Sequence, residues 1–134
     1  MEIASFADLL LAACAQSQPQ RLLFVFAGTE LPDDSSVEQR VSFAAGLGGA
    51  LVPLMVVDKS PGEIESFEAL LEESAALGQE WKIMFAAALS GADQQLPSSA
   101  QAQAALQRMV EAVRQGMHQS FIPFDRSGHP VLFG

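Results

Sequence analysis

Three short polar clusters hold most of the side chains in this sequence that could do chemistry: Gly28-Thr29-Glu30, Asp58-Lys59-Ser60 and Ser90-Gly91-Ala92-Asp93. Each follows an apolar run, Leu22 to Ala27, Ala50 to Val57 and Ile83 to Leu89. If the runs are neighbouring parallel strands, their carboxyl ends share one rim, where open α/β sheets place ligands. Thr29, Glu30, Asp58, Lys59 and Ser90 are therefore the expected ligand-binding residues. Two hydroxyls, two carboxylates and one ammonium could orient a small polar molecule or, in a rival reading, serve a small enzyme or ligand sensor. A helix opening at Ser60-Pro61 would add free amides beside Lys59, a combination that suits an anion.

Other chemistries find less support. Nucleophilic catalysis needs a nucleophile, a base in reach and a group to orient the base. The two histidines, His118 and His129, flank the C-terminal end of the chain, far in sequence from Ser60 and Ser90. No catalytic residue is assigned, and the chain is read as a non-catalytic binding or interaction domain. A transition-metal site needs three or four converging ligands, and two histidines with Cys14 are a poor set, so no metal and no cofactor are expected. A hard cation asks only for oxygens, which Glu30, Asp33, Asp34, Asp58 and Asp93 could offer from loops after the runs. Asp33 and Asp34 also suit a helix start before Ser35. Gly46, Gly48 and Gly49 close a helix and lead into a strand, the reverse of a phosphate loop.

Composition narrows the partners. With 134 residues, 49% of them apolar, nine Phe and one Trp, the chain fits a single α/β domain over 1–134 with a substantial core. Seven basic against sixteen acidic residues give a net charge of −9, which repels phosphate backbones and anionic membrane surfaces. Nucleic acid and membrane are not expected as partners. A second copy of the chain, a protein partner or a small polar ligand is.

The single cysteine fits a reducing compartment, and no apolar stretch approaches a membrane span, so a cytoplasmic location is expected. Leu11-Ala12-Ala13-Cys14 has the letters of a lipoprotein cleavage box. Acidic Glu2 and Asp8 and the short apolar stretch before it favour a cysteine packed on a helix face instead.

The elements that must position these groups alternate. Ser5 and Asp8 open a helix over about 5–15, with Phe6, Leu9, Leu10 and Ala13 on one face. Ser35 and Glu38 open a second, ended by the glycines at 46–49. Ser60-Pro61-Gly62-Glu63 is the strongest helix start, with proline at the first helical position and Ile64, Phe67, Leu70, Leu71 and Leu77 forming the buried stripe. Glu65, Glu68, Glu72 and Glu73 make its solvated face. Ser98 and Gln101 open the last helix, whose stripe runs from Ala102 to Val113 and which Gly116 closes.

The apolar runs are near-continuous, as in strands covered on both faces, and Pro53 marks a bulge, a late start or a sheet edge. Two further strands, Phe121 to Asp125 and Pro130 to Phe133, are joined by a turn at Asp125 to Gly128. The expectation is a largely parallel or mixed sheet of four to five strands, helices on both faces and a C-terminal antiparallel hairpin. Phe121, Phe124, Leu132 and Phe133 on that hairpin are the expected interface for self-association.

Segments spread over nearly the whole chain, among them Gln20 to Ala27, Leu31 to Asp34, Ala50 to Lys59, Ala87 to Gly91, Leu106 to Ala112 and Phe121 to Arg126, resemble a family of short bacterial proteins often labelled ribonucleotide reductase subunit alpha. The resemblance implies membership of that small family. It carries no reductase residue onto this chain, because the catalytic subunit of a reductase is several times longer and works through several redox cysteines. Only Cys14 is present here.

Overall fold

The computed structural model describes residues 3–30, 50–78, 80–115, 117 and 120–131, with the backbone alone at positions 29, 30 and 50. The expected helix over 35–45, Asp33, Asp34, the glycines at 46–49, Gly116, His118, Leu132 and Phe133 lie outside the described residues.

Helix α1 (Phe6–Cys14) begins where the sequence places it. Ser5 is extended, and its hydroxyl accepts from the Asp8 amide. The Asp8 carboxylate in turn accepts from the Ala4 amide at 2.9 Å. Phe6, Leu9 and Ala13 are the buried stripe.

Strand β1 (Gln20–Glu30) follows and forms the centre of the sheet, with Leu22 through Ala27 at 2% exposure or less. It pairs with β2 (Ala50–Lys59) on one side and β3 (Ile83–Ser90) on the other, both antiparallel. Strand β4 (Ile122–Phe124) completes the order β2-β1-β3-β4, antiparallel to β3.

This overturns the expected parallel or mixed sheet: among the described residues it has four strands and every neighbouring pair is antiparallel. Near-continuous apolar runs record burial of both faces, and burial does not fix strand direction. The layers bear that out. Leu22, Phe24, Phe26, Met84 and Ala86 face α1 and α2 (Phe67–Ala76), whereas Leu23, Val25, Ala27 and Phe85 face α3 (Ser99–Arg114). The helices do cover both faces. Strands β2 and β3 run the same way, as a strand-helix-strand alternation suggests, but β1 lies between them.

Pro53 produces a bulge. Pairing passes from Phe26 with Met55 to Ala27 with Pro53, leaving Leu54 as the extra residue of β2, which is how a strand accommodates a missing ladder donor. Leu54 turns onto the aromatic side of the core.

The expected long helix from Ser60 is two pieces. Ser60 and Glu63 form a capping box, but it opens only a single 3-10 turn, Pro61–Glu63, and Ile64 leaves helical geometry at φ −105°, ψ 108°. A second cap, Ser66, whose hydroxyl accepts from the Ala69 amide at 3.0 Å, starts α2. Glu65, Glu68, Glu72 and Glu73 are exposed.

Helix α3 opens on the expected Ser98 and Gln101 box and buries Ala102, Ala105, Leu106, Met109 and Val113. After β4, Asp125 and Gly128 form the turn of the hairpin, closed by the Gly128 amide on the Asp125 carbonyl at 3.1 Å, and Phe124 bridges to Pro130. No helix among the described residues is long and apolar enough to cross a membrane.

Candidate functional site

Strand direction decides which polar groups meet. Because β2 and β3 both run against β1, their carboxyl ends lie where β1 begins. Lys59 stands opposite Leu22, Asp58 opposite Leu23 and Ser90 opposite Gln20. Thr29 and Glu30 are at the other end of β1, opposite Leu51 and Ala50. Thr29 is seven steps along the strand from Leu22, about 24 Å at the rise of an antiparallel strand. The expected shared rim is thus divided: Asp58, Lys59 and Ser90 gather at one end of the sheet, and Thr29 and Glu30 are not with them. The same separation keeps Glu30 from joining Asp58 and Asp93 around a hard cation.

Each of the three side chains that do gather has a partner within the chain. The Arg21 guanidinium donates to the Asp58 carboxylate at 2.7 Å and to the Pro97 carbonyl at 3.1 Å, tying β1, β2 and the start of α3 together. The Lys59 ammonium meets the Glu73 carboxylate of α2 at 3.1 Å. Ser90 Oγ accepts from the Gln20 amide nitrogen at 2.6 Å.

The anion position expected beside Lys59 is also filled. Glu63 accepts from both the amide and the hydroxyl of Ser60, each at 2.9 Å. Those two donors, the amide first, hold its carboxyl below the ordinary value of 4.5.

Beside these pairs opens a cavity of about 360 Å³. The segment from the end of α1 into β1 supplies Cys14, Gln16, Gln18 and Gln20, and the turn after β3 supplies Gln94 and Leu96. Pro61 closes the third side. Cys14 is exposed at this edge rather than packed as a core hydrophobe.

The turn after β3 is narrow. Ala92 and Gln95 exchange both backbone hydrogen bonds, and Asp93 and Gln94 between them have φ of 53° and 62°. Two left-handed central residues are the turn that matches strand twist, but glycine and asparagine usually take them. Here the strain is offset by Gln18, whose side-chain oxygen accepts from the Gln94 amide at 2.9 Å, and by the Gln94 side chain, which donates to the Ser17 carbonyl at 3.1 Å. Gly91 makes the geometry attainable: a Cβ there would lie 1.8 Å from the Gln95 carbonyl oxygen.

A larger hollow of about 540 Å³ runs along α3 beside Gln107, Arg108, Glu111 and Gln115. Its described lining comes from that helix and from Met117, so it does not draw polar groups from several elements together, as binding sites do.

The four glutamines of the smaller cavity are not among the charged and hydroxylic side chains that the sequence singles out. The signal was present in Gln16-Ser17-Gln18-Pro19-Gln20, an amide at every second position leading into a strand.

The expected interface changes as well. Phe124 is fully buried, 5.7 Å from the Phe6 ring, and so belongs to the core. Phe121 is half-buried against the α3 side. His129 is exposed, and its backbone amide donates to the Asp125 carboxylate at 3.1 Å.

Fold and site together define an α/β domain with a four-stranded antiparallel sheet, helices on both faces and an amide-lined cavity at one sheet end. No protein-family model, curated protein or solved structure matches the chain.

Proposed function

We propose that this is a non-catalytic binding domain that takes a small polar ligand where β1 begins and β2 and β3 end. One observation carries the reading. Asp58, Lys59 and Ser90 are engaged by Arg21, Glu73 and Gln20, while the adjoining cavity is lined chiefly by carboxamides, with the Cys14 thiol at its edge and no histidine or carboxylate among its described lining to serve as a base. A carboxamide orients a ligand by hydrogen bonds, but it is neither a nucleophile nor a group that titrates near neutral pH.

The same reading includes a cytoplasmic protein of the short bacterial family that the sequence resembles, with no nucleic-acid partner, supported by the net charge of −9 and the single cysteine. Association with a second copy or a protein partner belongs to it too. Phe121 is the described hairpin residue left to contribute.

A thermal-shift screen of the full chain against neutral, cationic and anionic metabolites tests the proposal, with sedimentation run alongside. A ligand at about one hundred times its dissociation constant adds roughly 2.7 kcal/mol of stability. The expected result is at least one such stabilising compound, recovered unchanged after incubation. Conversion of that compound by the protein, or no stabilisation by any compound together with a strictly monomeric species, would contradict the reading.

A further inference from the structure

We infer that the cavity at the start of β1 recognises an organic cation, an alkylammonium or guanidinium group. This rests on the binding reading above and names its ligand class.

The orientation of the carboxamides decides the point. Gln16 is turned with its nitrogen on the Ala12 carbonyl at 3.1 Å, Gln94 with its nitrogen on the Ser17 carbonyl at 3.1 Å, and Gln20 with its nitrogen between the Gln18 carbonyl at 3.1 Å and Ser90 Oγ at 2.6 Å. A carbonyl can only accept, so each partner compels the nitrogen inward and leaves the amide oxygen for something else.

Among the described residues no donor meets the oxygens of Gln16, Gln20 or Gln94. Gln20 is only 5% exposed, and no buried side-chain nitrogen or oxygen lacks a partner. Its oxygen therefore keeps its accessibility, and Gln20 is a lining residue of the cavity. Three of the residues that line the cavity thus carry an amide oxygen that no described donor meets.

Two further features favour positive charge. Helix α1 ends at Cys14, on the edge of the cavity, and the carboxyl end of a helix dipole stabilises cations. No described lining residue is basic, and the chain as a whole carries −9. Leu96 and Pro61 supply apolar surface for the carbon chain that bears the cationic group. At about 360 Å³ the space falls within the range of small-ligand sites.

Titration of the isotopically labelled full chain, followed by NMR at constant ionic strength, tests the inference. Probes are n-butylammonium, methylguanidinium, neutral butyramide and anionic butyrate. Saturable shifts at residues 13–20 and 94–96 and at the side-chain amides of Gln16, Gln20 and Gln94 are expected from the two cations and not from the other two probes.

Gln94→Leu should weaken binding roughly tenfold, as loss of a hydrogen bond to a charged group does. Because that variant could disturb its turn, Gln16→Ala on the exposed end of α1 serves as a second, with a smaller loss expected. A lysine-containing tripeptide separates the sources of the cation: tighter binding than butylammonium assigns a polypeptide side chain, and equal binding assigns a free amine.

No saturable cation response, or equal responses from butyramide and butyrate, would overturn the ligand class. If a neutral or anionic compound from the wider screen instead binds at these residues, the inference fails while the binding reading stands.

Discussion

The two ends of the sheet use polar groups in opposite ways. Where β1 ends, the chain is closed by Trp81, 1% exposed, with its ring against Phe26 at 5.1 Å and its indole N–H donating to Ser74 at 2.8 Å. Ser74 is itself buried and donates to the Leu71 carbonyl. Arg126 covers the indole at 4.6 Å and donates to the Trp81 carbonyl. Each of these contacts braces an apolar plug. Where β1 begins, the polar contacts connect loops beside an opening lined by glutamines. Hydrogen bonds of similar length thus secure the core at one end and shape a surface at the other.

The largest effect should come from the closed end. Trp81→Ala removes the plug and the indole donor to the Ser74 hydroxyl, and is expected to cost about 3–5 kcal/mol in urea unfolding. A loss below about 1 kcal/mol would show that this end is not closed by the indole. At the open end Gly91→Ala should cost less, about 1–3 kcal/mol of overpacking, because it drives the Gln95 carbonyl away and opens a surface turn while the core stays filled. Its signature is a shift of the Gln94 amide resonance as the contact with Gln18 breaks. Equal destabilisation by the two variants would erase the contrast.

The caps give a smaller, graded test. Ser66→Ala removes the N-cap of α2 and should cost about 1 kcal/mol, more than Ser60→Ala, whose box supports only one turn. The reverse order would mean that α2 begins at Ser60.

The smallest effect is pH-dependent. Glu63 is held below its ordinary value by Ser60, so the stability it contributes is present above about 4.5 and is lost as pH falls through its folded value. Glu63→Gln should remove that acid-side slope from a stability profile and leave the neutral region nearly unchanged.

Much of the architecture was legible in the residues. Ser5, Ser98 and Gln101 cap helices because their spacing matches the geometry of free first-turn amides, and Pro53, which left a late start, a bulge or a sheet edge open, stands at a bulge on β2, an edge strand among the described residues, because proline has no ladder donor. Strand direction was not legible. Leu22 to Ala27 are apolar on both sides because helices cover both faces, and that pattern is the same for parallel and antiparallel neighbours. The candidate site failed with it, since reversing β2 and β3 against β1 sends Thr29 and Glu30 away from Asp58, Lys59 and Ser90. Ser66 was overlooked because the Ser60 box is stronger locally, whereas the break at Ile64 depends on packing. The glutamines were overlooked because their role comes from which carbonyls fix their nitrogens, a tertiary property.

The separation of the two ends can be measured directly by pulsed electron spin resonance between nitroxides on Glu30→Cys and Lys59→Cys, in a Cys14→Ser background. Glu30 is eight steps along β1 from Leu22, which pairs with Lys59, so the antiparallel sheet gives about 27 Å between backbones. A distribution centred near that distance, widened by the label tethers, is the expected result. A distance of about 10 Å or less, as aligned parallel strands would give, would restore the single rim and contradict the account.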